Sequence, residues 1–189
     1  MLAAIGIILV AVIAGLLLFA NSRPNTFRIE RATVINAPPG KLFGLVDDLR
    51  AWASWSPFEK LDPAMKRIFS GAPSGVGAAY DWDGNRRAGQ GRMEITESTP
   101  SSKVTIKLDF TRPFVSHNMT VFTIVPNGDT SLVTWSMEGP NSLMGKVMGI
   151  FVNMDAMLGK DFATGLANMK VLAEGVGRGE GVASLPIRA

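Results

Sequence analysis

The stretch Asn141–Lys170, NSLMGKVMGIFVNMDAMLGKDFATGLANMK, repeats its apolar residues at helical spacing. Leu143, Val147, Ile150, Phe151, Met154, Leu158, Phe162, Leu166 and Met169 share one side of an α-helix. Asn141 or Ser142 can cap its start. Gly145, Gly149, Gly159 and Gly165 each weaken it locally, so one long helix bent near Gly159 is expected. Upstream the period is two. In Lys103–Phe110 the residues Val104, Ile106, Leu108 and Phe110 alternate with Thr105, Lys107 and Asp109, which buries one face of a strand and wets the other. Strands followed by one long helix make an α+β domain, in which a single curved antiparallel sheet covers the helix.

Outward from that core, the same reading places further elements. Phe27–Asn36 is rich in Ile, Val, Thr and Phe and reads as a strand. Pro38-Pro39-Gly40 ends it and opens a helix carrying Leu42, Phe43, Leu45, Val46 and Leu49. Asp47–Pro57 holds Trp52 and Trp55 in a broken helical stretch. From Met65 to Glu138 strands alternate with turns, at Asp83-Gly84-Asn85, Pro100-Ser101-Ser102, Thr111–Phe114 and Asn127-Gly128-Asp129. The tail 175–189, glycine-rich and without an apolar period, is expected to be disordered.

The 189 residues are 47% hydrophobic with a mean hydropathy of +0.20, and the apolar content is unevenly placed. Within the first twenty residues only Gly6 and Gly15 fall outside the hydrophobic set. Without that segment the apolar share drops to about 42%, ordinary for a soluble domain. Leu2–Ala20 carries no charge and would span about 28 Å as a helix, close to the hydrocarbon thickness of a bilayer. Ala20-Asn21-Ser22 offers small residues at cleavage-like spacing, but no Lys or Arg precedes the run and it exceeds a usual signal-peptide core. A retained helix is therefore favoured: anchor 1–22, linker 23–26, domain 27–174. Arg23, Arg28, Arg31 and Lys41 follow the helix, which by the positive-inside rule puts a single-pass protein's domain in the cytoplasm.

The absence of cysteine excludes disulfides and thiolate chemistry, and the single histidine leaves little for a metal centre. A net charge of +3 is too small to imply nucleic acid. No cofactor or metal is expected. Asp81–Asn85 looks briefly like a calcium loop, but its twelfth position is Arg92 rather than Glu.

Three motifs carry a family resemblance. They are Ile35-Asn36-Ala37-Pro38-Pro39 with Leu42-Phe43-Gly44-Leu45-Val46-Asp47-Asp48; Trp52-Ala53-Ser54-Trp55-Ser56-Pro57-Phe58; and Gly159-Lys160-Asp161-Phe162 with Gly165-Leu166-Ala167-Asn168-Met169-Lys170. In these the chain resembles the SRPBCC superfamily (START-like, polyketide cyclase/dehydrase-like helix-grip proteins), from Thr26 to Glu174. It is especially similar to a bacterial subgroup with an N-terminal membrane helix. The resemblance implies a sheet gripping a long helix around an apolar cavity. It does not settle chemistry, since members bind or transform lipids, polyketides, hormones and aromatic compounds.

Register arguments select the cavity face. A four-residue turn at Thr111–Phe114 would set Phe110 opposite Val115, Leu108 opposite His117 and Ile106 opposite Met119. A three-residue loop at Asn127–Asp129 would set Met119 opposite Met137 and Val121 opposite Trp135; a two-residue Asn-Gly turn would send Trp135 outward. The expected ligand-facing residues are thus Ile106, Leu108, His117, Met119, Val121, Trp135 and Met137, with Tyr80 and Trp82 from an earlier strand and Met154 and Leu158 from the helix. Tyr80 and Trp82 suit a core as well as a cavity. His117 is either a satisfied core or rim residue or a general acid or base at the mouth. The leading expectation is membrane-anchored binding of a hydrophobic small molecule or lipid. The alternatives are a cyclase, dehydratase or hydrolase acting on a polyketide-like or aromatic substrate, or an interaction domain working through a sheet edge or the Trp52/Trp55 region.

Overall fold

The computed structural model describes residues 2–175. Helix α1 (Leu2–Asn21) is followed by strand β1 (Thr26–Ile35), helix α2 (Pro39–Asp47) and two short 3-10 turns, Leu49–Ser54 and Pro57–Lys60. Six strands come next: β2 (Lys66–Gly71), β3 (Ala78–Asp83), β4 (Gln90–Thr99), β5 (Lys103–Arg112), β6 (Ser116–Asn127) and β7 (Thr130–Pro140). Helices α3 (Leu143–Phe151) and α4 (Met154–Glu174) end the chain's described part. The expected tail 175–189 lies outside the described residues except for Gly175, whose left-handed φ of 71° terminates α4.

All seven strands form one antiparallel sheet in the order β1-β7-β6-β5-β4-β3-β2. The sheet wraps α4, so the α+β helix-grip architecture holds. Between them sits an aromatic core. Trp135 stacks on Phe162 of α4 with centroids 4.2 Å apart and planes 4° apart, Phe122 stacks on it at 4.9 Å, and Trp52 and Trp55 meet it edge-on. Pro39 opens α2 where its missing N–H has no partner to lose. The indoles of Trp52 and Trp55 donate to the carbonyls of Val46 (3.0 Å) and Leu45 (2.8 Å), satisfying groups that the end of α2 leaves free. Both tryptophans are buried, so that region presents no exposed patch for a partner.

Two sequence expectations are corrected. The C-terminal helical stretch is two helices rather than one. It breaks at Val152–Asn153, where Val152 is extended and the Asn153 side chain caps α4 by accepting from the Ala156 N–H at 2.9 Å. Helix α4 runs unbroken through Gly159. That glycine is a close-approach site, since a Cβ there would lie 1.9 Å from the Arg31 guanidinium, which is bound to Asp155.

The second correction concerns register. β5 runs on into the expected turn while β6 starts only at Ser116, and Phe110 pairs with Ser116, Asp109 with His117 and Lys107 with Met119. Five residues separate Phe110 from its partner instead of four, and a one-residue slip turns every side chain of β6 over. His117, Met119 and Val121 therefore face outward, and Asn118, Thr120 and Phe122 face the core. The β6–β7 turn holds two residues, Gly128 and Asp129, between the paired Asn127 and Thr130. That second slip cancels the first, so Trp135 and Met137 pair with Phe122 and Thr120 and remain inside.

Candidate functional site

Between the sheet and α4 lies a cavity of about 470 Å³, a size that takes a small organic ligand. The alternation of β3 turns Tyr80 and Trp82 into it, that of β5 brings Ile106 and Leu108, and β7 supplies Trp135 and Met137. Leu158, in the first turns of α4, forms part of the opposite wall. Seven of the sequence-derived candidates thus meet at one cavity. The other four do not. Met154 is solvent-exposed at the start of α4 and off the cavity wall. Val121 lies on the outer sheet face, and His117 and Met119 line a separate groove on that face with Phe27, Lys107, Asp109 and Glu138. There the His117 Nδ1 is 2.8 Å from the Asp109 carboxylate, and the imidazole is 69% exposed. Burial pushes the Asp109 carboxyl up, but the bonds from His117 and Lys107 prevail and hold it below its ordinary value.

The cavity's polar groups are few and come largely from residues without a periodic signal. Glu59, on the Pro57–Lys60 turn, has a side chain only 10% exposed. Its Oε2 accepts from Arg67 Nε at 2.7 Å and its Oε1 accepts from the Tyr80 hydroxyl at 2.8 Å. Arg67 also donates to the carbonyls of Glu59 and Met65. Burial, followed by the neighbouring Glu59 carboxylate, pushes the Tyr80 phenol well above its ordinary value, so it stays protonated and donates. The bond to Glu59 likewise raises Arg67. Two further wall groups have no partner in the protein: the Ser56 hydroxyl and the Trp135 indole N–H, both on residues at most 2% exposed. An indole N–H is donor only, and a buried donor left unpaired costs about 1–3 kcal/mol. The wall is therefore largely apolar, and these two groups lie behind its surface, closed off from water. Among the described residues no cluster of His, Asp or Glu is arranged to hold a metal.

Sequence reasoning missed Glu59, Arg67 and Ser56. Ser56 and Glu59 sit in or beside the tryptophan-proline motif, which marked the place without marking the role.

The family described as "Polyketide cyclase / dehydrase and lipid transport" matches residues 26–174. Solved structures with the same fold include the di-domain ARO/CYC StfQ of the steffimycin biosynthetic pathway (TM-score 0.61, 10% identity, 80% of this chain and 51% of that one). They also include the Aha1 dimer protein of Colwellia psychrerythraea (TM-score 0.57, 15% identity, 81% and 99%). A third is major latex-like protein 151 of Panax ginseng (TM-score 0.54, 15% identity, 79% and 99%). Identities this low establish a shared fold alone. No curated protein matches the sequence.

Proposed function

This chain belongs to the polyketide cyclase / dehydrase and lipid transport family, and from that membership we propose that it binds a hydrophobic small molecule or lipid in the cavity between sheet and α4. The observation that carries the reading is the cavity of about 470 Å³, walled mainly by apolar and aromatic side chains with Glu59, Tyr80 and Thr120 among its few polar ones. Such a wall favours a neutral, mostly apolar molecule. An added carboxylate would be disfavoured, because the wall already carries Glu59 and Asp161 and its one basic residue, Arg87, is solvent-exposed.

In this reading α1, long and apolar enough to cross a membrane, is a retained anchor, and the basic residues after it hold the domain at the cytoplasmic surface. Tethering concentrates the domain where apolar ligands partition. An acid–base pair of His117 and Tyr80 is not supported, because only Tyr80 lines the cavity. If chemistry occurs, Glu59 is the group placed for it, and binding is the reading the wall favours.

The test is a tryptophan-fluorescence titration of the full chain in nanodiscs, with 2-methyl-1,4-naphthoquinone and 2-methylnaphthalene as probes. Saturable quenching by both probes, with affinities within about tenfold of each other (about 1.4 kcal/mol), is expected. The absence of saturable binding by either probe overturns the proposal.

A further inference from the structure

Helix α3 lies between the last strand and α4, and no α3 residue lines the cavity. It packs against α1. Its start is tied to the linker that follows α1: the Asn141 N–H donates to the Asn25 carbonyl at 2.7 Å, and its side-chain amide donates to the Pro24 carbonyl at 3.2 Å. The only charge in α3, Lys146, is turned inward, with its ammonium 2.7 Å from the Asn25 side chain and the residue 6% exposed. What remains outward is apolar. Leu143, Met144, Met148 and Phe151 are exposed, Phe151 at 73%, and Met154 and Met157 extend the same exposed set into α4. From Gly139 to Met154 there is no acidic residue, and none occurs before Glu30 at the other end of the chain.

An apolar surface of this extent on an aqueous domain is unfavourable, and its position specifies what covers it. If α1 crosses the bilayer, Arg23, whose guanidinium lies over the Phe19 ring, marks the headgroup level at its end. The hydrogen bonds from Asn141 then start α3 at that same level. An acid-free helix whose one charge is turned inward, held there against a membrane-spanning helix, faces lipid. Met157 belongs to both surfaces: it is half-exposed and it lines the cavity beside Leu158.

We propose that α3, continued by Met154 and Met157, lies in the membrane interface and turns the cavity mouth toward the acyl chains, so that ligand passes between bilayer and cavity without crossing water. The inference rests on the reading of α1 as a retained span. It deepens that reading by naming the bilayer as the docking partner of the globular domain.

The chain has no cysteine, which allows single-site labelling. Met148→Cys and Phe151→Cys carry an environment-sensitive fluorophore on the outward side of α3. Asp129→Cys carries it on the β6–β7 turn, at the far end of a strand of eleven residues, roughly 35 Å from the linker. Full-length variants are placed in phosphatidylcholine–phosphatidylglycerol vesicles containing nitroxide-labelled acyl chains. Labels at 148 and 151 are expected to be blue-shifted and quenched at least twofold by the nitroxide lipid, and the label at 129 to be unaffected. Labels at 148 and 151 quenched by aqueous iodide instead, while the protein resists a carbonate wash, overturn α3 docking but leave the α1 anchor standing. Loss of the protein from vesicles in that wash overturns both. Pyrene at position 151 that forms excimers at any lipid ratio assigns the face to a second copy and refutes the bilayer as its cover.

Discussion

Replacing Arg67 by Met removes the cationic partner of a carboxylate that has little access to water. The Glu59 side chain is 10% exposed and that of Arg67 27%. Breaking a fully buried pair from one side costs about 3–5 kcal/mol, because the remaining charge stays buried without compensation. Here the Tyr80 hydroxyl still donates to Glu59 and Arg67 is partly wet, so a loss of about 2–3 kcal/mol is expected. Replacing both members, Glu59→Met with Arg67→Met, removes the stranded charge and is expected to lie within about 1 kcal/mol of the parent. The double-mutant cycle should therefore give a coupling of at least about 1 kcal/mol. Denaturant unfolding of the full chain in detergent, followed by tryptophan fluorescence, reads the effect, because Trp52, Trp55, Trp82 and Trp135 are all buried. Single variants that each lose less than about 0.5 kcal/mol and add without coupling would refute the buried pair.

Further outcomes follow from the same geometry. Gly165→Leu should lower stability by about 1–3 kcal/mol through overpacking, since a Cβ there meets the Trp135 ring at 2.7 Å; thermal unfolding checks it. Trp135→Phe keeps an aromatic ring stacked on Phe162 and removes a buried unpaired donor, so it should leave stability within about 1 kcal/mol of the parent, as thermal unfolding can check. His117→Ala should leave probe binding unchanged and stability within about 0.5 kcal/mol, because the imidazole is exposed on the outer face. The depressed Asp109 carboxyl contributes stability above its unfolded titration range, and that contribution is lost as pH falls through the lowered folded value. Asp109→Asn should accordingly flatten the acid limb of the stability profile.

The fold was legible because two periodicities do not overlap. Alternation in Lys103–Phe110 and the 3.6-residue spacing after Pro140 each reflect burial of one face. The site was legible where it inherits those periods, at Ile106, Leu108 and Leu158. It failed at His117, Met119 and Val121, because their orientation depends on the number of residues in one turn, and hairpin turns of similar composition differ by one. Trp135 and Met137 were placed correctly only because the second turn reversed the first error. Glu59 and Arg67 meet through tertiary packing of a 3-10 turn on β2, which no local pattern announces. The break at Val152–Asn153 was hidden for a related reason: glycines draw attention as helix breakers, whereas Gly159 is needed for Arg31 to approach and an Asn cap restarts the helix.

The most direct measurement is mass spectrometry of the full chain released from native membrane vesicles, beside a Leu108→Trp variant that narrows the cavity. The account predicts one neutral, largely apolar molecule bound per parent chain and a clearly lower occupancy in the variant. A parent chain that carries nothing, or a molecule retained equally by the narrowed variant, would contradict it.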